Sequence, residues 1–453
     1  MSKNMRSVVS LSCVLCLVFA AACESKERPA SPSPKNDAGE NQPAPAQIPP
    51  TEIVVYTSHT SDEDSFNLRY GNLLRAKFPQ HTIKFLNGSS GGSVAKMMTD
   101  KTKFDIYWAT SGTYETSAFT YDFAYDLTPL IKKNNVDLNK FDSAFKNVVS
   151  GEAFEGRTYL FPVHADVQVT YYNKDLFEKF GVPFPHNDMT WDEFFKLAER
   201  MTRYEGGVQY VGYAPFIGQL IMNNQMSLPS LDRKTMTPTI ASNSLWQTYF
   251  AQMFDLHSSM WNGTNPLSLK AIDVLTNFEK GTQAMMVYLP IVAEERKNIY
   301  QALNWDFVAI PTLKDYPGVG AQPYSVNFGI NKLSENKDLA FDMIRFLATS
   351  EEAQRSFAMI GAGPVSSDKT ILKAFGQGTS FKNKNWQAAY YHKQAAVNNY
   401  GGGPRTINSI YEKYANEMIS KRMDLNTALR TAGEEATKAL ADLRPTLTAP
   451  GAN

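Results

Sequence analysis

Strand-like and helix-like stretches alternate at the start of the foldable chain, and that alternation restricts its architecture more than any other feature. Ile53-Val54-Val55-Tyr56-Thr57 reads as a strand. The apolar positions Phe66, Tyr70, Leu73, Leu74 and Phe78 then recur every three or four residues, the spacing of one helical face. A second strand is predicted at Thr82-Ile83-Lys84-Phe85-Leu86, followed by the loop Asn87-Gly88-Ser89-Ser90-Gly91-Gly92-Ser93, a short helix to Met98, and a third strand from Phe104 to Ala109. This order argues a mainly parallel sheet with helices on both faces. Ligands of such sheets bind beyond the carboxyl ends of the strands, so the loops beginning at Thr57, Asn87 and Thr110 are expected to wall a cleft.

The first residues address the chain to the cell exterior. Lys3 and Arg6 precede an apolar run from Val8 to Phe19, which ends in Ala20-Ala21-Ala22-Cys23, the layout of a secretion signal with small residues before a cysteine. The run is shorter than the roughly twenty residues a membrane span needs. Its end resembles a bacterial lipoprotein box, departing from it at Ala20, and the resemblance implies cleavage after residue 22 and a lipid on Cys23. Plain secretion or an uncleaved anchor are the alternatives. Cys13 and Cys16 lie inside the signal, so Cys23 is the only thiol of the mature chain and a disulfide framework is excluded. Residues 24–50 are Pro, Ser, Ala, Asn and charge with little to bury, a composition that reads as an extended tether.

The remaining four hundred or so residues exceed one typical domain, and a chain that is 43% hydrophobic and 12% aromatic can build two substantial cores. Formal charge is zero, with 45 basic and 45 acidic residues, and removal of Lys3 and Arg6 with the signal leaves 43 basic. No basic stripe is present, so nucleic acid is not an expected partner.

Tyr171 to Thr202 carries the densest local signal. Trp191, Phe194, Phe195, Ala198 and Met201 share one helical face, Thr190 and Glu193 form a capping box, and Gly181, Pro183 and Pro185 punctuate the turn before that helix. The stretch YYNKDLFEKFGVPFPHNDMTWDEFFKLAERMT resembles the extracellular solute-binding proteins of ABC importers, in particular the carbohydrate-binding group that includes maltose-binding protein. Further segments resemble the same family in the same order: Phe278 to Met286, Trp305 to Pro311, Phe328 to Gln354, and Ile360 to Val365. The resemblance runs from Ile53 to Leu443 and is weakest at residues 206–265 and 382–405.

Membership implies an α/β, two-lobed periplasmic-binding-protein-like fold of type II, each lobe a mainly parallel sheet flanked by helices, with a hinge and a ligand cleft between the lobes. The organisation expected is a signal peptide at 1–22, lipidated Cys23 and tether at 23–50, and lobe one at 51–165. Lobe two follows at 166–315, then a return crossover and the rest of lobe one at 316–366, and C-terminal helical segments contacting both lobes at 367–453. Leu160 to Tyr172 is extended and aromatic, which suits a first crossing, and a second falls near Pro311 to Gly329.

A sugar needs flat apolar surface for its C–H faces and polar groups for its hydroxyls. The expected platforms are Trp108 at the end of the third strand, Tyr288 ahead of Pro290, Tyr324 before Ser325, and Trp261. Each has core packing as its alternative. Asp166, in the first crossing, is the expected acidic contact, with a structural salt bridge as the competing role. Ser89, Ser90 and Gly91 can present backbone N–H groups at a helix start, or simply make a tight turn. His59, in the loop that begins at Thr57, completes that wall. Arg405, after Gly401-Gly402-Gly403-Pro404, suits an anionic solute or belongs to a flexible joint.

Catalysis finds little support. The histidines at 59, 81, 164, 186, 257 and 392 lack metal-ligand spacing, no GxSxG elbow occurs, and charged runs such as Glu294-Glu295-Arg296 read as solvated helix surface. No cofactor or metal is expected. The expectation is a monomeric, membrane-tethered receptor that takes a sugar or oligosaccharide and delivers it to an ABC permease. A sensor on the same scaffold that signals to a membrane kinase, and a secreted carbohydrate-active enzyme, are the alternatives.

Overall fold

The computed structural model describes residues 49–58, 61–110, 113, 115–255, 271–398 and 405–447. Its strands in chain order are β1 (Glu52–Tyr56), β2 (Thr82–Leu86), β3 (Ile106–Thr110), β4 (Phe161–Asp166), β5 (Val169–Asn173), β6 (Arg203–Glu205), β7 (Val208–Tyr213), β8 (Leu231–Asp232), β9 (Thr237–Pro238), β10 (Gln283–Tyr288), β11 (Trp305–Ala309) and β12 (Tyr324–Ile330).

Two five-stranded sheets result. The first has the order β2-β1-β3-β12-β4 and the second β11-β5-β10-β7-β6, with β8 and β9 forming a small separate ribbon. In the first sheet β1, β2, β3 and β4 share a direction and β12 opposes them. In the second β7, β10 and β11 run together against β5 and β6. The chain is α/β as expected, but the sheets are mixed rather than mainly parallel: among the described residues, two of the four pairings in sheet one and three of the four in sheet two are antiparallel, because crossing strands return into each sheet against its direction. The opposing strand of sheet one is β12, which comes back from sheet two.

Chain crossings join the sheets. β4 belongs to sheet one and β5 to sheet two, with only Val167 and Gln168 between them; residues 310–323 lead from β11 back to β12. The strand period of two then sorts side chains onto opposite faces of sheet two. Tyr171, Met286 and Phe307 join a large apolar cluster that continues through sheet one, whereas Tyr172, Met285 and Val308 join a second cluster on the other face. Helices Arg405–Ile419 and Leu425–Leu447 bury Ile407, Tyr411, Ala415 and Leu440 in that second cluster, while Trp386 and Phe381, earlier in the same C-terminal region, lie in the first.

The helix Trp191–Met201 shows how directly some local chemistry translates. The Thr190 hydroxyl accepts from the Glu193 N–H and the Glu193 carboxylate accepts from the Thr190 N–H, closing the capping box, and Trp191, Phe194, Phe195, Ala198 and Met201 are all buried. Gly181 ends the preceding helix at φ +60°, a left-handed cap that glycine adopts without steric cost.

Candidate functional site

The strand directions bring several chain ends to one place. β4 ends at Asp166, and after two intervening residues Val169 opens β5 opposite both Tyr288, the last residue of β10, and Ala309, the last of β11. Tyr324 opens β12 opposite Asp166. Carboxyl ends from both sheets thus meet at the first crossing, the position at which open α/β sheets bind ligands.

Three residues expected from the sequence come together here, Asp166, Tyr288 and Tyr324, with the exposed Arg405 within electrostatic reach of Tyr324. Tyr324 senses the charges of Arg405, Asp166 and Arg69 and hydrogen-bonds with Thr110, and Tyr288 senses Tyr324, Glu295 and Asp166. Burial pushes the Tyr288 phenol up to about 12, with Tyr324 and Glu295 adding to it, so both rings are neutral and can donate. Phe216 stands 6.4 Å from the Tyr288 ring in a tilted arrangement, widening the aromatic surface on the lobe-two side.

Asp166 is the polar centre. It is 2% exposed, its Oδ2 lies 3.6 Å from Arg69 Nη1, and its Oδ1 has no hydrogen-bond partner. Burial raises its pKa to about 6; Arg69 and the backbone N–H of Gly363 oppose that rise and Glu295 adds to it. His164 Nδ1 approaches Oδ1 at 3.7 Å without making an ion pair, because burial first and Arg69 second hold the imidazole neutral. His164 Nε2 instead meets Tyr70 Oη at 2.5 Å. A buried carboxylate oxygen without a hydrogen-bond partner is an unmet acceptor, and a hydroxyl is a group that can satisfy it.

Arg69 was not evident from the sequence. It lies in a continuous helical run made of Glu63–Phe66, a wider π-type turn Asn67–Gly71, and Asn72–Lys77. The wide turn places neighbouring residues on different tasks: Tyr70 packs edge-on against Trp108 and Phe328, and Arg69 reaches out to Asp166 and Glu295. Gly71 leaves room for the side chains around it, since a Cβ there would sit 2.4 Å from Asn67 Oδ1 and 2.8 Å from the Phe66 ring. The Arg69 guanidinium is 12% exposed and donates to Glu295 Oε1 through Nη2 at 2.5 Å and Nε at 3.1 Å.

Glu294-Glu295-Arg296 lies at the surface, as expected, but each of its side chains is also paired. Glu294 accepts from the Ser380 N–H and hydroxyl, Glu295 from Arg69, and Arg296 makes a two-pronged pair with Glu279 at 2.5 and 2.7 Å. These contacts fix the short helix Val292–Glu295 beside the crossing. The local sequence shows only an alternating charged run, because every partner is distant along the chain.

Trp108 is corrected as well. β3 extends two residues beyond it to Thr110, so Trp108 lies mid-strand, pairs with Phe328 in register, and packs at 4% exposure among Tyr70, Phe85 and Phe328. Its ring is core, and Thr110 is the residue that reaches the junction. Ser89, Ser90 and Gly91 do not present free amides either. Asn87 Oδ1 accepts from the N–H groups of Ser89 and Ser90 at 3.0 and 2.8 Å, and the Asn87 carbonyl accepts from Gly91 at 2.7 Å. The loop is a self-satisfied Asx turn. His59, Trp261, Gly401 to Pro404 and Cys23 lie outside the described residues. Among the described residues no group of three His, Cys, Asp or Glu side chains is placed to hold a metal, and no helix is long and apolar enough to cross a membrane.

Two α/β lobes, crossings between them, and a buried carboxylate flanked by tyrosines from both sides define a two-lobed solute receptor. The chain belongs to the bacterial extracellular solute-binding protein family, whose model matches residues 69–354. It is 24% identical over 280 residues to a probable ABC transporter-binding protein of Deinococcus radiodurans, a stretch covering 54% of this chain and 62% of that protein's length. In fold it is similar to an ABC substrate-binding protein of Listeria monocytogenes in complex with cycloalternan, at TM-score 0.64, 17% identity, and coverage of 86% of this chain and 99% of the other. It is also similar to the sugar-binding protein MalE of Xanthomonas citri, at TM-score 0.62, 14% identity, and coverage of 87% and 98%.

Proposed function

We propose that this protein is the receptor subunit of an ABC importer, that its solute is a sugar or oligosaccharide, and that the solute is held at the junction of Asp166, Tyr288, Tyr324 and Arg405. The observation that carries the reading is the Asp166 Oδ1 atom, buried on the first crossing without a partner. A sugar hydroxyl supplies the missing donor, the tyrosines supply both apolar faces and polar tips, and Arg405 adds a donor for ring or hydroxyl oxygens. The cycloalternan bound by the Listeria protein and the sugar-binding role of the Xanthomonas protein support the ligand class.

Capture works through differential contact. A solute touching both lobes favours the closed arrangement over one in which a single lobe touches it, and the permease then receives the closed form. Turnover is not its task, since the carboxylates nearest the junction, Asp166 and Glu295, share Arg69 rather than standing as an independent acid and base. A lipid on Cys23 would keep the receptor at the outer membrane face, within reach of the permease.

Calorimetry and thermal shift with maltotriose, mannotriose, cycloalternan and mannitol test the assignment. A cognate sugar at about one hundred times its dissociation constant stabilises the fold by roughly 2.7 kcal/mol. If a broad panel of saccharides and polyols leaves the melting temperature unchanged while an amino-acid or peptide panel raises it, the sugar assignment fails.

A further inference from the structure

The Arg69 guanidinium holds two carboxylates that belong to different parts of the molecule. Glu295, 226 residues away, sits on a helix anchored to sheet two, and Asp166 ends β4 where the chain leaves sheet one. Arg69 itself belongs to the helical run that packs on sheet one through Phe66, Tyr70 and Leu74. The bridge spans the lobes and touches the crossing between them.

We infer that Arg69 is the positioning residue for capture: it orients Asp166 through one arm and ties lobe two to lobe one through the other, so that the closed arrangement is held together in part without a solute. The inference rests on the two-lobed capture reading and is independent of which solute is captured. Three features support it. With Arg69 at 12% and Glu295 at 23% side-chain exposure, the pair is screened by salt far less than an open surface pair. Glu295 cannot swing away freely, because Glu294 is held by Ser380 and Arg296 by Glu279 on either side of it. The planar fork donates to Glu295 Oε1 through Nε and Nη2, which leaves Nη1 on the Asp166 side as a charge contact at 3.6 Å, a division that a lysine point charge does not reproduce.

Opening the lobes separates Arg69 from Glu295 and leaves both partners to water. Arg69 stays with Asp166, so the free Oδ1 keeps its orientation for the next solute.

The test is solution scattering on the full-length protein with no solute added, comparing wild type, Arg69→Met, Arg69→Lys, Glu295→Gln and the Arg69→Met/Glu295→Gln double variant. The expected result is a larger radius of gyration for Arg69→Met and for Glu295→Gln, corresponding to a closed-to-open ratio lower by about tenfold, with the double variant no more open than either single one. Arg69→Lys restores part of the compaction. Maltotriose calorimetry on the same set adds a second reading, with Arg69→Met weakening capture more than Glu295→Gln because it alone releases Asp166. An unchanged radius for both single variants, or openings that simply add in the double variant, overturns the inference. Should Arg69→Met lose its cooperative melt, Glu295→Gln, at a half-open surface position, decides the matter alone. Failure of every sugar to bind wild type counts against the proposed function and leaves the scattering comparison intact.

Discussion

Tyr324 faces Asp166 across the antiparallel pairing of β12 with β4, so the first residue of one crossing strand stands opposite the last residue of another. Both residues are therefore set by one backbone ladder rather than by loops, which is how a binding group is held to a fixed geometry.

The proton on Asp166 has a predictable effect on stability. Its pKa is about 6 in the fold against an ordinary 3.8, raised by burial against the pull of Arg69. The folded state binds that proton more tightly than the unfolded chain does. The resulting stabilisation is complete below about pH 4 and is lost as pH rises through about 6. Asp166→Asn removes this loss, so its melting temperature meets that of wild type in acid and exceeds it above pH 6, by on the order of 1 kcal/mol in stability. A variant that falls progressively below wild type between pH 5 and pH 8 would contradict the sign. Sugar affinity drops in the same variant by about tenfold or more, the scale of a hydrogen bond to a charged group.

Tyr288 and Trp108 should separate cleanly. Tyr288→Ala weakens sugar capture by about tenfold or more and changes the unliganded melting temperature little. Trp108→Ala opens a cavity among Tyr70, Phe85 and Phe328 and costs about 3–5 kcal/mol of stability. Where it still folds, its sugar affinity stays within a few-fold of wild type. Denaturant unfolding paired with calorimetry measures both, and a selective loss of affinity in Trp108→Ala would return that ring to the site.

Gly363 is a steric requirement of the crossing. A Cβ there would lie 1.8 Å from the Ala165 carbonyl oxygen, and the Gly363 carbonyl accepts from the Ala165 N–H at 2.7 Å. Gly363→Ala must displace β4 one residue before Asp166. The expected cost is about 2–4 kcal/mol, with a loss of sugar affinity larger than that of an equally destabilising change elsewhere.

Lipid attachment is checked at Cys23. Expressed in a lipoprotein-processing bacterial host, the wild-type chain should incorporate labelled fatty acid and enter the detergent phase, and Cys23→Ala should do neither. Labelling that persists in Cys23→Ala excludes the assignment.

What the sequence made legible was local. The strand at Thr82 to Leu86, the capping box of Thr190 and Glu193, and the buried face of Trp191–Met201 are set by neighbours within a few residues, and periodicity reports them. The end of β3 was less legible: its apolar run stops at Ala109, whereas pairing with β12 carries the strand on to Thr110, and that extension moved Trp108 from rim to core. Ser89, Ser90 and Gly91 looked available because a glycine-rich loop does not announce that an Asn87 side chain will consume its amides. Arg69 and Glu295 left no trace at all. An arginine on a helix and an acidic pair in a charged run are ordinary, and only the return of the chain through two crossings brings them together.

Val167 and Gln168 are the whole connection between β4 and β5, and both are buried. With paired strands gripping the chain on either side, the torsions of so short a link leave little room for sliding or for wide separation. Rotation is the movement that remains, and it works as a lever: small twists at these two residues sweep the far rims through much longer arcs.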